Sequence, residues 1–217
     1  LDDMEIINTE LILADIKTVE RSLEKNEKLV RANKPEGILA KEVLSNLLEH
    51  LNNGFAARSF KRVSKENVCI KNLFLLTDKP MIYVANVDDD GGKSEQLEKA
   101  SLVAKKNSSS FIKINGKLES EMAEFEEEEK EMILKDYNID ESGLSVLIKE
   151  AYKTLGLETF FTCGEKEVRA WTMKKGSQAV EAAGEIHTDF STKFIKAEIF
   201  SYGDAISNKG KINELKT

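Results

Sequence analysis

Two short β-forming stretches, residues 81–85 (MIYVA) and 110–114 (SFIKI), flank one helix-length segment at 94–106, and this spacing restricts the fold more than any other feature. A short, nearly all-apolar run such as MIYVA suits a strand buried in a parallel sheet. Parallel strands cannot be joined by a tight turn; they need a crossover of a dozen or more residues, usually a helix. A long acidic helix-like segment follows at 118–137. The order strand, helix, strand, helix predicts an α/β sheet with ligands at the carboxyl ends of its strands.

The loop after the first strand, NVDDDGGKS at 86–94, lies at such an end. Its Gly92-Lys93-Ser94 matches the close of a phosphate loop, GxxxxGK[ST], but the position for the first glycine is Val87. Asp88, Asp89 and Asp90 would also face the phosphates, where a working loop offers backbone N–H groups and a lysine. An EF-hand reading fails too, because the closing bidentate Glu would fall on Leu97 and a strand enters the loop where a helix should. A solvated acidic turn is the plain reading. The remaining functional reading is a base-recognition element: Asn86-Val87-Asp88-Asp89 resembles the Asn-x-x-Asp of P-loop GTPases, whose Asn ties neighbouring loops together and whose carboxylate takes base N–H groups. One strand later, Asn115-Gly116-Lys117 stands where a second base-contacting loop belongs.

Upstream, Ile12, Ile16, Val19, Leu23 and Val30 recur at steps of four and three over residues 9–31, with Asn26 in the skipped position. This is a coiled-coil-like seam, with Asn8 or Thr9 expected to cap its start and Glu10 in the first turn. Pro35 and Gly37 in ANKPEG are expected to break the helix. Ala40, Leu44, Leu47, Leu48 and Leu51 then form the apolar face of a second helix, ended by Asn52-Asn53-Gly54. The short connection predicts an antiparallel helical hairpin that packs first on itself. Residues 64–77 and 144–155 also read as helices, the former ending before Lys79-Pro80.

Gly156 marks a change to β-forming sequence: TFFT, a CGEKE turn and VRAWTM predict a hairpin. A short helix at 177–183, a strand at 194–200 and a polar tail complete a small α+β module. The net charge of −7 argues against bulk electrostatic attachment to nucleic acid, DNA included, so any RNA contact needs a local basic patch. Cys69 and Cys163 lie far apart without a metal-binding spacing, which favours the cytoplasm and predicts no metal site. No apolar run approaches 18 residues and LDDMEIINTE is not a targeting segment, so a membrane role is not expected.

The chain resembles the YchF family of Obg-like ATPases over nearly its whole length. The resemblance is carried by DMEIINTELILADIKTVERSLEK (3–25), LLEHLNNGFAARSF (47–60), LLTDKPMIYVANVDDDG (75–91), GKLESEMAE (116–124) and the long FFTCGEKEVRAWTMKKGSQAVEAAGEIHTDFSTKFIKAEIFSY (160–202). It implies a partial P-loop NTPase G-domain at 1–8 and 63–156, a helical coiled-coil insertion at 9–62, and a β-grasp TGS domain at 157–217, incomplete at its C-terminus. It also implies ATP and Mg²⁺ as cofactors of the intact protein, hydrolysis of that ATP, and the ribosome or translation machinery as partner. The family's Asn-x-x-Glu base motif falls on Asn86, Val87 and Asp89, and its Ser-Ala-Lys-like loop on Asn115, Gly116 and Lys117. The chain departs from the family in having Asp89, the residue type of guanine-specific relatives. Charged hydrogen bonds of roughly 1.5–3 kcal/mol each are enough for one methylene to reverse a preference, so GTP stands beside ATP.

No GxxxxGK[ST] occurs in these residues, and phosphoryl transfer depends on positioning phosphates and Mg²⁺. The chain is therefore expected to be the back portion of such an ATPase, a fragment or a truncated gene product, and inactive alone, with no catalytic residue of its own. Lys166, Arg169, Lys174 and Lys175 are the candidates for RNA or ribosome contact, while Phe160, Phe161 and Trp171 read as partly core, with only half of an alternating strand facing outward. The alternative function is a non-catalytic binding module made of coiled coil and TGS domain. His187 reads as a structural hydrogen-bonder and His50 as a helix-terminal charge. The eight Glu between 119 and 131 read as a solvated helix face rather than a metal site, because consecutive residues point around a helix.

Overall fold

A helix with one apolar stripe must bury it, and here only three residues separate the first helix from its partner. The computed structural model describes residues 2–88, 94–164 and 167–207. Helix α1 (Asp2–Arg31) turns through Asn33, at φ +53°, into α2 (Pro35–Asn52), and the two pack antiparallel. Ile12 and Val19 of α1 meet Val43, Leu44, Leu47 and Leu51 of α2 in one core with Ala57, Ile70 and Leu75. Each fully buried aliphatic side chain contributes about 1.5–3 kcal/mol, far more than an exposed pair such as Arg31–Glu27 at about 0.2–0.5 kcal/mol.

Two local expectations change here. Helix α1 starts at Asp2 rather than near Thr9, so Asn8 and Thr9 are not caps. The Thr9 hydroxyl donates to Glu5 O one turn back, and the Asn8 amide pairs with the Tyr83 hydroxyl, so neither side chain competes for helix N–H groups. Gly37 is not a breaker but lies in the first turn of α2, just after Pro35. A Cβ there would come 2.6 Å from Leu29 Cβ, so the residue must lack a side chain for the helices to close at their turn. Asn26, the polar gap in the seam, donates to Gly37 O at 2.7 Å at the same place.

The predicted helix at 64–77 stops early. Helix α3 (Ser64–Lys71) ends, Phe74 takes φ +51°, and the chain turns toward α1. The driving contact is the buried Asp15 carboxylate, which accepts from Leu76 N, Thr77 N and Thr77 Oγ1 at 2.6–2.7 Å. Thr77 in turn accepts from Ala57 N through its hydroxyl and from Arg58 Nη1 through its carbonyl, and Arg62 bonds Asp78 at 2.6 Å. Amides held this way cannot serve a helix.

From there the chain enters β1 (Ile82–Asn86), crosses by α4 (Glu95–Lys106) and returns as β2 (Ser110–Ile114), parallel to β1 with Ile82 opposite Ser110 and Asn86 opposite Ile114. Ser94 caps α4 by accepting from Leu97 N; Glu95 and Glu98 begin it and Lys105 and Lys106 end it, each suiting the helix dipole. The expected single acidic helix is two: α5 (Gly116–Met122), which buries Leu118 and Met122, and α6 (Glu127–Asp136), which buries nothing. The break falls where the Glu126 N–H donates to the Glu129 carboxylate instead of continuing the helix. Helix α7 (Gly143–Leu155) then packs on both strands.

The chain divides into two compact units, Leu1–Leu155 and Gly156–Thr217. In the second, Gly156 at φ +63° leads into β3 (Leu157–Cys163), antiparallel to β4 (Val168–Lys174), followed by α8 (Ala179–Ile186), α9 (Thr188–Thr192) and α10 (Tyr202–Ser207). The strand expected at 194–200 does not form: these residues join neither sheet, and Ile195 and Ile199 are exposed. Its alternating pattern cannot make a strand without a paired neighbour.

Replacing Asp15 with Ala leaves two backbone N–H groups and a hydroxyl without an acceptor. We expect a loss of about 3–5 kcal/mol in urea unfolding, against less than about 0.5 kcal/mol for the exposed Asp3→Ala. Equal effects would show that the joint contributes nothing special.

Candidate functional site

The carboxyl ends of the two parallel strands lie side by side, so the residues that follow each strand are brought together by the sheet. Asn86 closes β1, and its Oδ1 accepts from Gly116 N at 2.9 Å; Val87 N donates to Ile114 O at 2.9 Å. Gly116 opens α5, and a Cβ on it would come 3.1 Å from Asn86 Oδ1, so the approach is close. Asn115 caps α5 through Oδ1, which accepts from Leu118 N at 3.0 Å. Four of the five base-site candidates, Asn86, Val87, Asn115 and Gly116, are thus joined in one edge of the sheet. The fifth, Asp89, lies outside the described residues, as does most of the acidic loop. Lys117 is exposed and reaches Glu121 at 4.0 Å.

Glu119 makes a tertiary contact hidden in the sequence as one member of a charge run. Its Oε1 accepts from Gly143 N at the start of α7, and a Cβ on Gly143 would come 2.9 Å from Ile114 Cγ2 and 3.1 Å from Glu119 Oε1. The asparagine-then-leucine cap at 115–118 was a legible sign that a helix begins at Gly116; its link to Gly143, 24 residues away from Glu119, was not.

Two other acidic residues of the run bond locally, Glu129 to the Glu126 amide and Glu127 to Lys130. Among the described residues no three His, Cys, Asp or Glu side chains converge. At the far end of β2, Glu150 accepts from the Ser110 hydroxyl; that bond, then Lys153, holds its carboxyl below the usual carboxylate range.

Among the described residues, the basic candidates Arg169, Lys174 and Lys175 of the hairpin are not gathered into one patch. Arg169 lies with its guanidinium 4.3 Å from the Trp171 ring centroid, a cation–π contact, and Trp171 donates to Thr162 Oγ1 at 2.9 Å. Lys174 faces the opposite side of the strand by alternation, and Lys175 sits 3.7 Å from Glu158. Lys166 lies outside the described residues. Phe160 is half-buried opposite Trp171, while Phe161 is exposed and stacks on Tyr202 at 5.7 Å. His187 caps α9 by accepting from Asp189 N, and His50 bonds Ser59 Oγ and Ala56 O between Phe55 and Phe60. Among the described residues no helix is long and apolar enough to cross a membrane.

Residues 157–217 match the family model YchF-GTPase_C, described as "Protein of unknown function (DUF933)". A protein of Bacillus subtilis (strain 168) named "Ribosome-binding ATPase YchF" is 44% identical over 214 residues, covering 97% of this chain and 58% of the relative. One of the same name from Escherichia coli O157:H7 is 38% identical over 211 residues, with the same coverage. A solved structure described as "Structure of the Schizosaccharomyces pombe YchF GTPase" superposes with a TM-score of 0.84 at 33% identity, covering 96% of this chain and 58% of that one. The chain therefore spans somewhat more than half the length of these relatives.

A lowered folded pKa means that Glu150 adds stability above its ordinary value of about 4.5 and loses it as pH falls through the lower folded value. The stability gap between wild type and Glu150→Gln is expected to be full at pH 7 and to shrink below about pH 4.5 in denaturant titrations. A gap that widens on acidification would reverse the sign.

Proposed function

Because the chain belongs to the YchF family, we propose that its first unit supplies the base-recognising part of a nucleotide site in a ribosome-associated ATPase. Its second unit helps to hold that ATPase on the ribosome. The observation that carries the first half is the Asn86–Gly116 bond. An asparagine ending one parallel strand and gripping the loop after the next makes a fixed edge at the place where α/β sheets bind ligands. Asn86, Val87, Asn115 and Gly116 form that edge, and Asp89 is the carboxylate that this reading assigns to the base. ATP is the nucleotide, with GTP as the competitor that Asp89 admits; relatives carry both ATPase and GTPase in their names.

In the same reading residues 1–8 and 63–156 are the partial G-domain, 9–62 the coiled-coil insertion and 157–217 a TGS domain of β-grasp type. Mg²⁺, when bound in the intact protein, would offset phosphate charge. The residues of this chain take the base and leave phosphate and metal to others. The working place is the cytoplasm, where ribosomes are. On the hairpin, Lys166, Arg169, Lys174 and Lys175 are the ribosome-facing cations. The absence of GxxxxGK[ST] from these 217 residues favours a second reading for the chain on its own: a binding module that does not hydrolyse nucleotide.

Titration of the isotopically labelled chain with ATP and with GTP should shift the Asn115 and Gly116 amides at millimolar nucleotide without hydrolysis. Shifts confined to other regions would defeat the base-site reading. In a nucleotide-binding member of the family carrying this sequence, Asn86→Ala should weaken ATP binding about tenfold or more, and Asp89→Glu should move the ATP to GTP affinity ratio toward ATP. An unmoved ratio would remove Asp89 from the specificity argument. For the ribosome, Lys166→Glu with Arg169→Glu should lower co-sedimentation and its salt sensitivity; no change would remove the hairpin cations from the interface.

A further inference from the structure

Residues 115–117 are gripped from two sides. On the strand side, Asn86 Oδ1 accepts from Gly116 N. On the other side stands α5, which has only seven residues and so cannot hold itself in place by its own hydrogen bonds. Two things anchor it: the burial of Leu118 and Met122, and the half-buried Glu119, whose carboxylate accepts from Gly143 N. Gly143 begins α7, and α7 packs on β1 and β2. The bonds therefore close a ring: β1 to the loop through Asn86, the loop into α5, α5 to α7 through Glu119, and α7 back to the strands.

The burial of Leu118 and Met122, four residues apart on one face, turns that face of α5 toward the core but leaves the fine angle of a two-turn helix to directional contacts. A hydrogen bond from a backbone amide to a carboxylate is directional. The space around that amide is tight: a Cβ on Gly143 would meet both Ile114 Cγ2 and Glu119 Oε1, so glycine is what lets the carboxylate reach the backbone.

We propose that Glu119 is a positioning residue for the base-contacting loop at 115–117, acting on nucleotide recognition through Gly143 and α7 without touching the base. The proposal rests on the reading of Asn115 and Gly116 as base contacts. Loss of the carboxylate frees α5 to turn about its Asn115 cap, which draws the Gly116 amide off Asn86 and opens the edge.

The test is amide hydrogen exchange by NMR on the full chain, comparing wild type, Glu119→Ala and Glu119→Gln. Glu119→Ala is expected to speed exchange at Gly143, Gly116 and Leu118 about tenfold or more. Glu119→Gln keeps an acceptor oxygen and is expected to restore most of the protection. The amides of Leu47 and Leu51 in the helical core report global unfolding and should stay within about twofold. If Gly143 alone speeds up while Gly116 is unchanged, Glu119 only caps α7 and the proposal is overturned. It is overturned equally if Glu119→Gln fails to rescue, or if all amides accelerate together. The base reading fails separately: if ATP and GTP leave the Asn115 and Gly116 resonances of wild type unshifted, the loop is held by Glu119 but does not read a base.

Discussion

The Asp15 carboxylate joins the helical pair to the strand that leads to the candidate site. It sits 2% exposed on α1 and accepts three hydrogen bonds from Leu76 and Thr77. A buried carboxyl costs several kcal/mol to desolvate, and only a full set of donors offsets that. Asparagine would not substitute well, since half of its amide donates and all three partners here donate. Thr77 extends the joint by accepting from Ala57 and Arg58, so the end of α2, the turn after it and the approach to β1 are one polar assembly against an aliphatic core.

The consequence is felt at the other end of β1. Tyr83, near the start of that strand, pairs with Asn8 of α1, a second tie between strand and helix. With β1 held in this way, Asn86 has a fixed place from which to grip Gly116. The candidate site depends on this order of support: core, then strand, then strand end, then loop. Glu119 adds the support from α7 that the strand cannot supply.

The predicted elements that held are those whose pattern is local. The apolar stripes of α1 and α2, the two short strands, the crossover helix and the hairpin all bury or pair what their spacing says they should. Other elements shifted. The predicted helix at 64–77 stops at Lys71, and the amides of Leu76 and Thr77 that would have extended it bond Asp15; the predicted helix at 118–137 breaks after Met122 and restarts at Glu127, where the Glu126 N–H is capped by the Glu129 carboxylate. The strand at 194–200 has the right alternation and no partner strand among the described residues. Neither outcome can be read from periodicity, which describes one face of one segment and not what waits opposite.

For the site, the motif spacing placed Asn86, Val87, Asn115 and Gly116 at strand ends, and family resemblance gave them a reading. What those residues do to one another came from the fold, because Asn86 and Gly116 are 30 residues apart and meet only when β1 and β2 lie parallel in register. By itself the sequence determined the paired helices α1 and α2, the two parallel strands with their crossover helix, the hairpin, and which loops stand at strand ends, since those follow from side-chain period and turn chemistry. The tertiary structure alone decided that Asp15 is a joint, that Gly37 and Gly143 are places of close approach, and that Glu119 reaches across to α7. Such contacts depend on distances between residues far apart in the chain, and a distance of that kind has no signature in local pattern.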